Sequence, residues 1–235
     1  MTIALGTVGL LLCLNALGLV LSIPLDRYGL PKALNAQTSR RKKNTLPRRL
    51  PLIGLNLSLL VTGAFFPLWW LADLFTMDFP ALPVLTVQVL LLIFLDDLWF
   101  YWIHRAIHVN KKLYRTIHKK HHEAYAPVPI EYLYVHPVEW MAGGVGPAIG
   151  LGLILLTQGE MSAWTLWIWG GWRLIHELDI HSGTTSLVAR FVPLFAGTEH
   201  HDRHHARPTL GNYASSLTLW DKVFHTEINA ASIKR

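Results

Sequence analysis

Residues 82–108 read LPVLTVQVLLLIFLDDLWFYWIHRAIH, an apolar run over 82–103 that ends in His104 and His108. The run is about long enough to cross the hydrocarbon of a bilayer as a helix. Its end carries two imidazoles one turn apart, and i,i+4 neighbours share a helix face. An imidazole nitrogen is a strong neutral metal ligand. The stretch therefore predicts a membrane helix that delivers ligands to a site at its mouth. Asp97 lies seven residues before His104, on the same face. An aspartate inside an apolar helix is costly unless paired, so Asp97 is expected to accept the second N–H of a ligating histidine and fix its tautomer. Asp96 points elsewhere and is expected to cap or to face another polar partner.

Two further clusters follow, His118-Lys-Lys-His121-His122 and His201-Asp-Arg-His204-His205. With His104 and His108 they use eight of the 13 histidines in HxxxH or HxxHH spacing. Packing alone does not produce such spacing, because a buried histidine without a partner is costly. The i,i+3 and i,i+4 relations let each cluster turn its rings to a common point. Eight nitrogens exceed the four ligands, or three plus water, that one zinc takes. Two five- or six-coordinate ions suit iron and dioxygen chemistry and need about ten protein ligands. The remaining two come from His136, His176, His181, His200 and His225. Carboxylate-bridged di-iron bundles carry paired Glu-x-x-His motifs, which this chain lacks, so its site is of the histidine-rich type.

The rest of the chain supports a membrane setting. Hydrophobic residues make up 51% and charged residues 15%, against about 25% charged in an ordinary soluble domain. Ten tryptophans and seven tyrosines suit the headgroup level. The single cysteine, Cys13, excludes an intrachain disulfide framework and a cysteine-held cluster. The net charge of +6 sits in short basic segments beside apolar ones, which fits an anionic membrane surface better than nucleic acid.

Charge also orders the topology. Residues 3–23 form an uncharged run, without the basic start or the cleavage site of a signal peptide. Residues 26–49 carry Arg27, Lys32, Arg40, Arg41, Lys42, Lys43, Arg48 and Arg49 against Asp26 alone, and by the positive-inside rule are cytoplasmic. No Lys or Arg occurs between Arg49 and Arg105 or between Lys120 and Arg173. The apolar runs 50–75 and 82–103, then 138–157 and 161–178, therefore read as two helical hairpins that enter from and return to the cytoplasmic side. That brings all three histidine clusters to one face. The short apolar stretch 186–196, with Arg190 and Pro193, reads as an interfacial cap helix.

The predicted fold class is all-α: a polytopic membrane helical bundle of about four to five membrane helices with a cytoplasmic histidine-rich helical cap holding a dinuclear metal site. Its expected divisions are an N-terminal membrane helix over 1–25, a basic cytoplasmic loop over 26–49, a membrane domain with the metal site over 50–226, and a tail over 227–235.

The motifs Asp97-x3-Tyr101-x2-His104-Arg105-x2-His108, His118-x2-His121-His122, His136-Pro137-x-Glu139, His181-Ser182-Gly183, His201-Asp202-x-His204-His205, Gly211-Asn212-Tyr213 and Trp220-Asp221 resemble those of the fatty acid hydroxylase and sterol desaturase superfamily. These are histidine-rich membrane di-iron oxygenases. The resemblance runs from about residue 90 to 226 and is nearest in motif to the C-4 methylsterol oxidases. It implies ten metal ligands, His104, His108, His118, His121, His122, His136, His181, His201, His204 and His205. His176 and His200 fall outside that set. His225 stands where the family usually has glycine, and Thr184-Thr185-Ser186-Leu187 replaces the aromatic and Asp-Phe-Pro-Trp that commonly follow His-Ser-Gly.

The resemblance also implies two iron ions, an O2-dependent hydroxylation or desaturation of a lipid, and electrons from a separate reductase or cytochrome chain. No nucleotide-binding fingerprint or haem-attachment motif is present in the chain. Asp97, Asp202 and Asp221 are the candidate catalytic-site carboxylates. Trp99, Tyr101, Trp102, Tyr132, Tyr134 and Trp140 are candidates for the substrate path, and the basic surface Lys111 to Lys120 for donor docking. The expected location is an integral membrane protein with its site on the cytoplasmic face, in the endoplasmic reticulum of a eukaryote or the inner membrane of a bacterium. The rival readings are a metal transporter, which would hold its ligands near the bilayer midplane, and a zinc-dependent membrane hydrolase with Glu123 or Glu139 as base.

Overall fold

The computed structural model describes residues 1–32, 34–37, 39 and 41–228. Arg40 of the basic loop and residues 229–235 of the expected tail lie outside the described residues. The long helices are α1 (Thr2–Tyr28), α2 (Leu46–Trp70) and α3 (Leu82–Val109). The histidine-rich segment after α3 holds α4 (Lys111–Leu113) and α5 (Lys119–His122), separated by a π-helical turn over Tyr114–His118. Next come α6 (Pro137–Gly143), α7 (Val145–Gln158) and α8 (Ala163–Ile180), and then the short helices α9 (Leu187–Phe191), α10 (Thr198–Ala206) and α11 (Leu219–Val223). Two-residue strands β1 (Phe75–Thr76) and β2 (Met161–Ser162) pair in parallel.

Among the described residues, four helical stretches are long and apolar enough to cross a membrane: α1, α2, α3 and the α6–α7 stretch Pro137–Gln158. Their outer faces carry exposed Leu, Val, Ile and Trp side chains, the surface expected against lipid. The fifth apolar run, α8, is 18 residues long and packs against both α1 and α3. It turns Arg173 and Glu177 toward the cavity at the site, while Asp179 accepts the Ser186 hydroxyl, so it is not a plain apolar cylinder. Helix α1 continues to Tyr28 through Pro24, where the missing N–H removes a single backbone bond. Helix α2 begins at Leu46, four residues before the apolar run, because Pro47 suits a first helical turn, while Pro51 and Pro67 lie inside the helix.

The two expected hairpins hold in topology but not as packed pairs. The chief partner of α2 is α1, and that of α3 is α7. Gly146 and Gly150 explain the second pairing: a Cβ on Gly146 would come within 2.9 Å of Trp99 Cβ, and one on Gly150 within 2.9 Å of Leu92 Cδ2. Small residues one turn apart let two helices approach closely. The turns after α2 and α7 meet at one end, joined by the β1–β2 pair, by Ser162 Oγ donating to the Asp78 carbonyl (2.6 Å) and by Trp164 Nε1 donating to that of Met77 (3.1 Å).

All three histidine clusters lie at the opposite end, and the 26–49 loop joins them there. Arg41 bonds to Asp26 (2.6 Å), the Ala126 carbonyl (2.6 Å) and Glu131 (2.8 Å), while Arg49 binds the same buried Glu131 (2.5 Å). Asn56 Nδ2 donates to the carbonyls of Leu133 and Val135, and Tyr132 OH to Asn15 (2.7 Å). These bonds pin the 123–135 segment, immediately after His121 and His122, onto α1 and α2.

Candidate metal centre

Nine of the ten expected ligands converge, and they do so as two groups. Ligand atoms of His104, His108, His118, His122 and His204 lie within 4.8 Å of one another, as do those of His121, His181, His201 and His205. The groups adjoin through His122 and His205 (ring centroids 4.8 Å apart) and through His121 and His122 (5.6 Å apart). All nine are buried except His122, which is partly so.

Each HxxHH cluster is divided rather than turned to one common point. His118 and His122, i,i+4 on the 118–122 segment, serve the first group, while His121 turns to the second. His201 and His205 serve the second, and His204 crosses to the first. Adjacent residues on a helix point about 100° apart, so a His-His pair cannot serve one ion. The pair instead spans the two groups. The π-helical turn that ends at His118 adds one residue to a turn just before this branching, as such insertions often do at functional sites.

Hydrogen bonds from the far ring nitrogens set the tautomers. His104 Nδ1 bonds the Tyr213 carbonyl (2.7 Å), His204 Nδ1 that of Gly211 (2.8 Å), and His181 Nδ1 that of Glu177 (2.8 Å). His118 Nδ1 meets the Glu139 carboxylate at 2.6 Å. Carbonyl and carboxylate oxygens only accept, so in these four rings the proton is on Nδ1 and Nε2 carries a lone pair. His104 Nε2 and His118 Nε2 nevertheless face each other at 3.1 Å. Two lone pairs at that distance repel unless a cation lies between them.

The other spacings agree. His108 to His104 is 3.1 Å, His122 to His118 3.0 Å, His201 to His181 3.0 Å and His205 to His201 3.0 Å, all between Nε2 atoms. Nitrogens about 2.1 Å from one ion and at right angles to each other are about 3.0 Å apart. Burial, and then the neighbouring imidazoles, hold His121, His122, His201, His204 and His205 well below the usual histidine range, so they are neutral donors. The donor set fits two metal ions.

His136 stands apart from both groups. It is the residue before α6, and its Nδ1 accepts the Val138 N–H at 3.2 Å as a helix cap. In His136-Pro137-x-Glu139 the histidine starts the helix that carries Glu139 to His118. Glu139 is thus a site residue that sequence reasoning considered only as a base for a rival activity. Its signal was its place three residues after a cap and two after a proline.

The expected carboxylates also have other partners. Asp97 accepts no histidine N–H. It receives the backbone N–H groups of Ser216 (2.7 Å) and Leu217 (3.0 Å) and the Trp220 indole N–H (2.8 Å). Asp221 receives those of Tyr213 and Ala214 (both 2.9 Å) and the Thr226 hydroxyl (2.6 Å). Burial alone would raise its pKa, but its hydrogen bonds hold it below the ordinary carboxylate value. Both aspartates clamp the 211–217 loop, whose Gly211 and Tyr213 carbonyls orient His204 and His104. Asp202 is buried beside His201 on α10. Asp96 pairs with Arg173 Nε at 2.5 Å. His176 Nε2 bonds the Ser215 carbonyl (2.9 Å) of the same loop and its ring stacks on Trp172. His200 lies 3.3 Å from Asp221. Neither His176, His200 nor His225 joins a group.

A cavity of about 810 Å³ runs from the histidines into the bundle. Leu59, Leu60, Ala64 and Pro67 of α2 form one wall, Trp140, Ala148, Leu151 and Leu155 of α6–α7 the other, and α8 and α1 the floor. His104, His118, His121, His181 and His201 close its end, so both groups face it. Of the aromatics expected along a substrate path, Tyr132 and Trp140 line it. Trp99, Tyr101, Trp102 and Tyr134 do not: Trp99 bonds the Ala142 carbonyl, Tyr101 Thr226 and Tyr134 Glu123, while Trp102 packs on Phe224.

A nitrogen-only site shaped for two ions, at one end of a membrane helical bundle and open to an apolar cavity, defines the class of protein. The chain belongs to the fatty acid hydroxylase family, whose model matches residues 89–226. It is 40% identical over 136 residues to methylsterol monooxygenase 1 of Rattus norvegicus, covering 57% of this chain and 44% of that protein. It is 34% identical over 163 residues to methylsterol monooxygenase erg25B of Aspergillus fumigatus, covering 68% and 54%. With the C-4 methylsterol oxidase of Candida albicans identity is 34% over 172 residues, covering 69% and 55%. The chain thus spans about half the length of the curated relatives it matches. No solved structure matches it.

Proposed function

We propose that this protein is a membrane-bound di-iron oxygenase that uses O2 and external electrons to oxidise an unactivated carbon of a lipid, the C-4 methyl group of a sterol-like molecule being the first candidate. The observation that carries the reading is the pair of adjoining histidine groups at the closed end of an apolar cavity. His104, His108, His118, His122 and His204 would hold one iron, and His121, His181, His201 and His205 the other. The chemistry that iron supplies when bound is reductive activation of dioxygen and removal of hydrogen from a C–H bond.

The chain's own residues do the rest. The Glu139 carboxylate and the Tyr213, Gly211 and Glu177 carbonyls keep protons on Nδ1, leaving Nε2 free to ligate. The Phe100 ring, 5.0 Å from that of His104, and the walls of α2 and α7 exclude water and hold the substrate carbon against the site. A lipid would enter between α2 and α7 from the bilayer. Electrons would come from a separate reductase or cytochrome chain, docking at the end that carries the histidines, which we assign to the cytoplasmic side from the charge pattern. A transporter is disfavoured because both groups sit at one end of the bundle, and a zinc hydrolase because nine nitrogens exceed its need.

The test is lipid extraction from cells with and without the gene under 18O2. The expected result is one lipid that gains labelled oxygen in the wild type and not with His204→Ala. Equal lipid profiles would overturn the reading.

A further inference from the structure

Arg173 is a charged residue in the wall of a cavity that is otherwise lined mostly by apolar side chains. The residues of α8 that face the cavity include Leu166, Trp169, Arg173 and Glu177, followed by His181 at its C-cap, spaced by three or four and so on one face. Arg173 stands about two turns before His181, and its guanidinium leans toward the site. Nη1 is 3.8 Å from Glu177 Oε1, and Glu177 Oε2 is 3.7 Å from His181 Nδ1.

The hydrogen-bonding of this guanidinium is incomplete. Nε donates to Asp96, but the Glu177 distance is too long for a hydrogen bond. Among the described residues no acceptor takes a hydrogen bond from Nη1 or Nη2. The side chain keeps 19% exposure, and the cavity is what it borders. Of the other polar tips around the cavity, Trp167 Nε1 donates to Thr7 and Tyr132 OH to Asn15, while the Trp169 indole N–H and Glu139 Oε2 have no hydrogen-bond partner among the described residues. A purely hydrocarbon occupant would strip water from the Arg173 donors and return nothing, which is unfavourable.

Resting on the oxygenase reading, we propose that Arg173 is a specificity-determining residue: it donates hydrogen bonds from Nη1 and Nη2 to a neutral oxygen, hydroxyl or carbonyl, that the lipid carries a few carbons from the oxidised position. The oxygen is neutral because the guanidinium charge is already opposed by Asp96 and a second acid, Glu177, stands beside it. A carboxylate or phosphate would meet two acids for one base. The site therefore selects lipid alcohols or ketones over fatty acids and hydrocarbons.

The experiment measures equilibrium binding to the detergent-purified holoprotein by quenching of tryptophan fluorescence. The probes are a C-4 dimethylated sterol, its 3-deoxy hydrocarbon and its 3-carboxylic acid analogue. The alcohol is expected to bind at least about 10-fold more tightly than the other two. In the double variant Arg173→Met with Asp96→Leu, which removes both charges so that neither is left buried alone, the hydrocarbon should bind as before and the preference should vanish. Arg173→Lys should retain part of it. Equal binding of the three probes, tightest binding of the acid, or a preference that survives in the folded double variant would each overturn the proposal. If the double variant fails to fold, the ranking by the wild type still decides. A protein that ranks the probes as expected but oxidises no lipid refutes the oxygenase reading alone. One that oxidises a lipid but binds all three probes alike refutes this proposal alone.

Discussion

His118 holds its Nδ1 proton against Glu139 at 2.6 Å and so turns a bare Nε2 toward His104. Removing the negative charge while keeping the shape, as in Glu139→Gln, lets the amide present either a donor or an acceptor and weakens control of the tautomer. Outer partners of this kind are worth about 10- to 100-fold in metal affinity. Competition with a chelator should reveal a loss of that size for Glu139→Gln, whereas His136→Ala should keep its metal and lose only the cap of α6. Metal loss in His136→Ala equal to that in Glu139→Gln would return His136 to the ligand set. The motif His136-Pro137-x-Glu139 was legible as functional in the sequence, but not which of its two polar residues reaches the site. That depends on where α6 ends up relative to His118, and no local pattern encodes it.

The 211–217 loop shows how an element without regular structure can be the most constrained part of a site. Gly211 has φ of 148°, and a Cβ there would lie 1.8 Å from the Thr226 carbonyl oxygen. Asn212 also has positive φ, 56°, and its side chain joins the His200 carbonyl to the Ile228 N–H. Asp221 fastens the N–H groups of Tyr213 and Ala214, and Asp97, on α3, those of Ser216 and Leu217. Gly211→Ala must therefore displace the chain, at a cost on the order of 1–3 kcal/mol or more, and with it two ligand-orienting carbonyls. The expected outcome is a lower melting temperature together with reduced metal content. A variant that melts and binds metal as the wild type does would contradict this role for the loop. Sequence reasoning correctly demanded a partner for Asp97 inside an apolar helix, but the partner it named, a histidine, was wrong. Backbone N–H groups more than a hundred residues away satisfy the same electrostatic need and leave no trace in spacing.

The bundle's general plan was readable because it follows from transfer free energy. Apolar runs of helical length, and the absence of Lys and Arg between Arg49 and Arg105, dictate which segments leave water and which ends meet. The structure keeps that plan, with the β1–β2 turns at one end and the histidines at the other. Hidden from the sequence were the pairing of helices, which the close contact of Gly146 and Gly150 with α3 decides, and the division of each HxxHH cluster between two groups. A helix face tells which rings can meet, but not how many centres receive them.

The central claim is that the nine histidines build two metal positions rather than one. It is tested most directly by iron analysis of the protein purified in mild detergent, alongside His181→Ala from the group of four. About two irons per chain are predicted for the wild type and about one for His181→Ala, since the five-histidine group stays intact. A wild type holding a single tightly bound metal ion per chain would contradict the account.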